Sequence, residues 1–296
     1  MPDKILVLGA SGMLGHTLFT GLEGSLKSGW SVKGTVRSGT ALKHPVFKGR
    51  DGDIFPGVDA FDFDSIVKVF AAFRPQVVIN CIGIVKQVSA AREPIAAITV
   101  NAVFPHRLAE LCQASDARLI HFSTDCVFRG DRGSYKESDP SDADDLYGKS
   151  KFLGEIADRQ GCITLRTSII GHELHSRHGL VDWFLCQTGT VQGFAKAIFS
   201  GLPTVEIARV LREFVLPRRD LAGTYHLSGE SISKYDLLRL IAQAYGKDIV
   251  IERDERVEVD RSLDSDRFRD TTGYVAPDWK ELVDRMHENA RVEGIK

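Results

Sequence analysis

Tyr147 and Lys151, within "DDLYGKSKFLGE" (144 to 155), stand four residues apart, and residues at i and i+4 share one face of a helix. Upstream, "HFSTDCVF" (121 to 128) supplies Ser123, Thr124 and Asp125. Each has an ordinary use when taken alone: a tyrosine and a lysine on a wet helix face, or a Ser-Thr-Asp serving as a turn or cap. Together they are the parts that a carbonyl reduction needs. Hydride arriving at a carbonyl carbon leaves charge on the oxygen, which requires a proton donor and a hydrogen bond already in place. Tyrosine ordinarily titrates near about pH 10, so it is a sluggish acid at neutrality unless a cation favours its phenolate. On this reading Tyr147 is the donor, Lys151 the cation, and Thr124 holds the oxygen from the opposite side.

These groups need a scaffold, and the chain has one. Short apolar runs at 4 to 8, 31 to 36, 77 to 80, 118 to 123 and 162 to 166 alternate with segments of helical period, such as "DSIVKVFAAF" (64 to 73) and "VFPHRLAELCQAS" (103 to 115). That rhythm predicts βαβ units and a Rossmann-type doubly wound parallel α/β sheet. Beyond residue 170 the regularity fades and returns, so a smaller, interleaved C-terminal α/β substrate domain is expected. The division is 1–170 for the nucleotide-binding domain, with a returning segment near 195–228, and 171–194 with 229–296 for the smaller one. Ser233 with Asp236, and Asp278 with Glu281, predict capped helix starts.

"LGASGMLG" follows the first strand and places Gly9, Gly12 and Gly15 at G-x-x-G-x-x-G. Such a loop lets backbone approach a pyrophosphate and aims a helix N-terminus at it, which nominates Gly9, Ser11, Gly12, Met13, Leu14 and Gly15 for a dinucleotide. An NAD site usually puts an acid about 20 residues on, for the ribose 2′-OH. No acid occurs between Glu23 and Asp51; Arg37 and Ser38 end the second strand, with Lys43 beyond. A guanidinium there suits a 2′-phosphate, so NADP(H) is favoured over NAD(H), although exposed arginines are common. Asp59 is read equally as an adenine contact or as a turn aspartate. Cys81, Ile82 and Gly83, in "NCIG", end the fourth strand, where small residues would admit the cofactor's ribose.

Composition narrows the rest. The chain has 296 residues, 38 Lys and Arg against 40 Asp and Glu, and 43% apolar residues, which argues against disorder, nucleic-acid binding and a membrane partner. A soluble cytoplasmic protein is expected, with a homodimer left open. Its five cysteines are an odd number without a C-x-x-C, so neither a disulfide framework nor a cysteine zinc site is indicated. His172, His175 and His178 are spaced as metal ligands can be, but they are read as substrate-loop or surface residues, and no metal is expected. Arg218 and Arg219 are read either as a clamp for a substrate pyrophosphate or as a solvated pair. Residues 260 to 270 are read from composition as a surface loop, and from the resemblance described next as a segment that would fold over the substrate.

"GASGMLG", "RPQVVINCIG", "VNAVFPHRLA", "STDCVF", "YGKSKFLGE", "LRTSIIG" and "GTYHLSG" together resemble an extended short-chain dehydrogenase/reductase, most closely the dTDP-4-dehydrorhamnose reductase family, over nearly the full length. The resemblance implies NADPH-dependent reduction of the 4-keto group of a nucleotide-linked 6-deoxyhexulose, in polysaccharide precursor synthesis. Thr124, Tyr147 and Lys151 would be catalytic, and Asn101 would join Gly9, Gly12, Gly15, Arg37 and Asp59 around the cofactor. Departures fall in the sugar pocket. Cys126 stands where the family has tyrosine and Ile169 where it has tryptophan, beside Asp125 and Ser168. Lys86 and Gln87 occupy a differing stretch after the fourth strand and are candidates for a UDP head or an acetamido group. Two other readings remain: an epimerase that retains NAD, against which the missing acid speaks, and a noncatalytic partner resembling the regulatory subunit of methionine adenosyltransferase.

Overall fold

The computed structural model describes residues 3–23, 29–86 and 93–295. The first half alternates strand and helix: β1 (Lys4–Leu8), α1 (Met13–Glu23), β2 (Ser31–Val36), β3 (Ile54–Pro56), α2 (Phe63–Phe73), β4 (Val77–Asn80), α3 (Pro94–Ala97), α4 (Phe104–Ala114), β5 (Arg118–Thr124), α5 (Leu146–Leu153) and β6 (Cys162–Thr167). The remainder runs β7 (Ile169–Ile170), α6 (Leu180–Cys186), β8 (Thr190–Phe199), β9 (Leu202–Pro203), α7 (Thr204–Val210), β10 (Gly223–His226), β11 (Ile232–Ser233), α8 (Lys234–Ala244), β12 (Val250–Asp260), α9 (Asp266–Thr272) and α10 (Trp279–Glu293).

Seven strands form one parallel sheet in the order β10-β6-β5-β4-β1-β2-β3. The strand order reverses between β1 and β4, and open α/β sheets bind ligands at the carboxyl end of such a switch point. Both faces are covered, which explains the continuous apolar strands. In β1, Ile5 and Val7 join the core cluster that holds Leu18 and Phe19 of α1, while Leu6 and Leu8 face Ile66, Phe70, Phe104 and Leu108 of α2 and α4. That is the two-residue period of a strand buried on both sides. α2 stops where Arg74 turns left-handed (φ 52°), just before Pro75.

A second sheet, β11-β8-β12, stands apart. β8 and β12 pair in parallel from Val250↔Thr190 to Asp260↔Ile198, so residues 195–199 stay with this sheet, whereas the sequence reading returned the chain to the first sheet near 195. Its long pairing partner, β12, holds them there. The expected caps are present: Ser233 Oγ accepts from the Asp236 N–H and Asp278 Oδ1 from the Glu281 N–H. The stretch 260–270 is not a loop. Residues 260–263 lie as a bridge-paired strip along 131–135, and α9 follows. Among the described residues no helix is long and apolar enough to cross a membrane.

Candidate active site

Gly9 follows β1 with φ +80°, a conformation that glycine adopts at little cost. A Cβ on Gly15 would stand 2.1 Å from the Gly9 carbonyl oxygen, so α1 can press on the loop only because residue 15 has no side chain. The turn is further held by Gly12 N–H donating to Gly9 O at 3.0 Å and Ala10 N–H to Thr35 O at 2.8 Å. Leu14 is a core side chain, so its contribution to a dinucleotide would come through its backbone. A Cβ on Gly179 would lie 2.5 Å from Met13 Cε, which places the end of the 171–179 loop against the first residue of α1.

Arg37 is exposed immediately after β2. Asp59 behaves as the turn aspartate: its Oδ1 accepts from the Phe61 N–H at 3.0 Å. Beyond β4, the loop carrying Cys81, Ile82 and Gly83 is tied down twice. Asn80 Oδ1 accepts from Ile82 N–H, and Asn80 Nδ2 donates to His121 Nδ1. Asn101, buried in the π-helical stretch Ile98–Val103, accepts from Ile84 N–H and donates to Ile84 O and Ser150 Oγ. It therefore fastens the loop to α5. Gly83 remains exposed beside Lys151; a Cβ there would be 4.0 Å from Nζ.

α5 is capped by Asp145, whose Oδ1 accepts from Gly148 N–H at 2.7 Å and whose Oδ2 pairs with Lys86 Nζ at 2.5 Å. Burial pushes the Asp145 carboxyl up, but the Gly148 N–H and Lys86 outweigh it and hold it below its usual range. Gly148 must be glycine, since a Cβ would meet Cys126 O at 2.2 Å. That close approach sets Tyr147 against the turn after β5. The Thr124 hydroxyl draws the Tyr147 phenol down, but burial holds it well above the ordinary range, and Cys126 adds to the shift. One turn on, Lys151 is buried and its Nζ donates to Phe122 O at 2.7 Å. Desolvation lowers its amine to about 8, against the pull of Glu155.

Thr124 Oγ1 donates to Asp125 Oδ1 at 3.0 Å and accepts from Cys126 N–H at 3.1 Å. Asp125 is raised by burial, against the hydrogen bond from Thr124, the nearby Cys126 and Ser168 and the charge of Arg261. Thr124, Asp125, Cys126, Tyr147 and Ser168 thus converge. Ile169 is half-buried in β7, paired with Leu202. Lys86 is engaged by Asp145; Gln87 lies outside the described residues.

Two expectations change, and a third changes at His172 alone. Ser123 donates to Glu155 Oε1 within a buried network instead of opening into the cleft. Arg219 pairs with Asp3, and Arg218 with Asp220 and Thr271 O; both lie at the amino edge of the large sheet, opposite the glycine loop, so they form no clamp in this cleft. The histidines diverge: buried His172 bonds Asp182 and Tyr245, whereas His175, edge-on to His44, and His178, whose backbone donates to Glu173, are exposed as expected. Sequence reasoning missed Arg261. Its Nε donates to Phe128 O at 2.8 Å, and its charge reaches Asp125, Cys126 and Asp145. The reading of 260–270 as a segment over the substrate reached its neighbourhood without singling it out.

Residues 3–292 match the RmlD substrate binding domain family. The chain belongs to this family, of extended short-chain dehydrogenase/reductase type. Among its relatives, a dTDP-4-keto-6-deoxy-D-glucose reductase of Streptomyces niveus is 28% identical over 255 residues, covering 84% of this chain and 81% of that one. Methionine adenosyltransferase 2 subunit beta of Mus musculus is 27% identical over 262 residues, covering 82% and 72%. The dTDP-4-dehydrorhamnose reductase of Bacillus anthracis, solved in complex with NADP, superposes with a TM-score of 0.76 at 21% identity, covering 97% and 99%; at that identity the likeness is one of fold. The RmlD-type chain has a close-packed glycine loop after β1, an exposed Gly83 after β4 and a buried Lys151 beside it.

Proposed function

We propose that the protein is an NADPH-dependent oxidoreductase that reduces the 4-keto group of a nucleotide-linked 6-deoxyhexulose, with dTDP- and UDP-linked sugars as candidates. The observation that carries this reading is the convergence of Thr124, Tyr147 and Lys151 at the carboxyl edge of the sheet, beside Gly83 and the glycine loop. Gly9 to Gly15, Arg37, Cys81 to Gly83, Asn101 and Lys151 would hold the cofactor, Asn101 by fixing the loop. When bound, NADPH supplies the hydride. Burial keeps Tyr147 protonated at neutral pH, so it stands in its donor form. Lys151 is a cation below about pH 8 and would offset the charge left on the phenol oxygen while holding the cofactor ribose with donors not used on Phe122 O. Lys86, Thr124, Asp125, Cys126, Ser168 and Ile169 would face the sugar nucleotide, with residues 171–194 and 229–296 as the substrate-binding part.

Dehydration is disfavoured because the residue after Asp125 is a thiol pushed up to about 12 by burial and by Asp125, which makes it a poor acid or base. The name of the Streptomyces niveus relative supports the substrate class. The test is a screen of dTDP- and UDP-linked 4-keto sugars followed by NADPH absorbance; consumption with one of them is expected, and no consumption with any would remove the reading. A noncatalytic role is the second reading, favoured by the similarity to methionine adenosyltransferase 2 subunit beta. It predicts NADP binding and no turnover.

A further inference from the structure

β1 and β4 end their ladder at Leu8↔Asn80, with Cys81 N–H donating to Leu8 O at 3.0 Å. The next amide, Ile82 N–H, has left the sheet and is taken up by the Asn80 side chain, whose Oδ1 accepts it at 3.0 Å. A backbone N–H can only donate, so the atom facing it is the amide oxygen and the other end of Asn80 is the NH2 group. That end meets His121 Nδ1 at 3.1 Å; the two residues are register partners across β4 and β5, and both are buried. His121 Nδ1 therefore carries the lone pair, with the ring neutral and its proton on Nε2. Nε2 has no hydrogen-bond partner among the described residues, so the Nδ1 side alone sets the tautomer. Burial holds the imidazole well below its ordinary range, and the charges of Lys151 on α5 and His106 on α4 act the same way. A protonated ring would oppose an Nδ1 N–H to the Asn80 N–H and break this chain of bonds.

The loop held in this way stands between two parts of the proposed cofactor site. On one side, a Cβ on Gly9 would lie 3.1 Å from Ile82 Cγ1 and 3.3 Å from the Cys81 carbonyl oxygen; on the other, a Cβ on Gly83 would lie 4.0 Å from Lys151 Nζ. A shift of Ile82 would therefore close or open the space between the glycine loop and Lys151. We infer that His121 is a positioning residue for the cofactor: its Nδ1 lone pair, acting through Asn80, sets the Cys81–Gly83 loop between the glycine loop and Lys151, and with it the affinity for NADPH. The inference rests on the reading above that this loop meets the cofactor.

Two measurements on the full chain test it, one of them without cofactor or substrate. In His121→Phe, which keeps a ring and removes the acceptor, the Kd for NADPH read by fluorescence titration is expected to rise about tenfold, with kcat at saturating NADPH held within about twofold. His121→Asn, whose Oδ1 can stand where Nδ1 stood, should recover most of that affinity. Independently, nitrogen-15 NMR of the cofactor-free protein should show His121 with its proton on Nε2 from about pH 6 to 8. Asn80→Asp, which sets a carboxylate oxygen against the ring, should put a proton on Nδ1. An unchanged Kd in His121→Phe would overturn the inference and leave His121 a packing residue; a fall in kcat at unchanged Kd would overturn it in favour of a part in proton transfer. A wild-type proton on Nδ1 would overturn it too. If His121→Phe does not fold, the tautomer and the Asn variant decide, since a Kd raised about tenfold in His121→Asn contradicts the role of the lone pair. A wild type with no affinity for NADPH defeats the cofactor reading and leaves the tautomer and its response to Asn80→Asp standing.

Discussion

β5, with α5 and the segment just after it, contributes to two polar clusters with opposite characters. Behind the sheet edge, Ser123 and Glu155 join Arg166 and His226. Glu155 receives Arg166 through Nε at 2.8 Å and Nη2 at 2.7 Å, Ser123 adds a third bond at 2.6 Å, and Arg166 Nη1 donates to His226 Nε2. Both charged side chains are about 95% buried (5% and 6% exposed). A few ångströms along the same elements, Thr124, Tyr147 and Lys151 are also buried or half-buried, yet Tyr147 and Lys151 are pushed towards their neutral forms. Where charge meets complementary charge, burial locks; where it does not, burial shifts proton affinities, and those are the groups able to exchange protons. One residue of strand separates the two outcomes, because Ser123 and Thr124 point to opposite faces.

Removing the proton donor should widen this contrast most. Tyr147→Phe is expected to lower kcat by about 10²–10⁴-fold while changing NADPH affinity and folding stability little, read by NADPH oxidation and cofactor titration. Equal turnover would take Tyr147 out of the chemistry. On the locking side, Glu155→Ala leaves a buried guanidinium unpaired and should cost about 3–5 kcal/mol in urea unfolding; replacing both Glu155 and Arg166 by methionine should return much of it. If the single and double changes cost the same, the pair is not the lock described.

Lys151 tests the boundary between the clusters. Its amine is lowered by burial from 10.5 to about 8, so below pH 8 the folded protein carries a charge that the unfolded chain solvates better, at roughly 3 kcal/mol. The penalty fades as pH rises from about 8 to 10.5, because the folded amine has then lost its proton while the unfolded chain still holds one. Lys151→Met should therefore abolish turnover and raise the melting temperature of the cofactor-free protein by a few degrees at pH 7, with the advantage shrinking above pH 8. A smaller effect is expected away from both clusters: Arg37→Ser should reduce the preference for NADPH over NADH about tenfold, measured as the ratio of kcat/KM values.

Much of the scaffold was legible before any coordinates. β1, β2, β4, β5 and β6 lie where apolar runs bounded by turns placed them, and the glycine loop opens α1 as its spacing requires. Local pattern suffices there because a strand buried on both faces must be continuously apolar. The pairing of Tyr147 with Lys151 was legible for the same reason, being fixed by helical pitch. β8 was not: its place in the second sheet is decided by pairing with β12, some 60 residues later in the chain.

The sequence by itself thus determined the doubly wound sheet, the dinucleotide loop and the residue types of a carbonyl-reducing site, all of which rest on periods of two to four residues. Only the tertiary structure decided which way each polar side chain turns. It put Ser123 on Glu155 and Thr124 on Asp125, carried Arg218 and Arg219 to the amino edge, and brought Arg261 from the end of β12 to the catalytic turn. The last two depend on contacts between residues more than 100 positions apart, Arg219 with Asp3 and Arg261 with Phe128, for which short-range sequence pattern carries no signal.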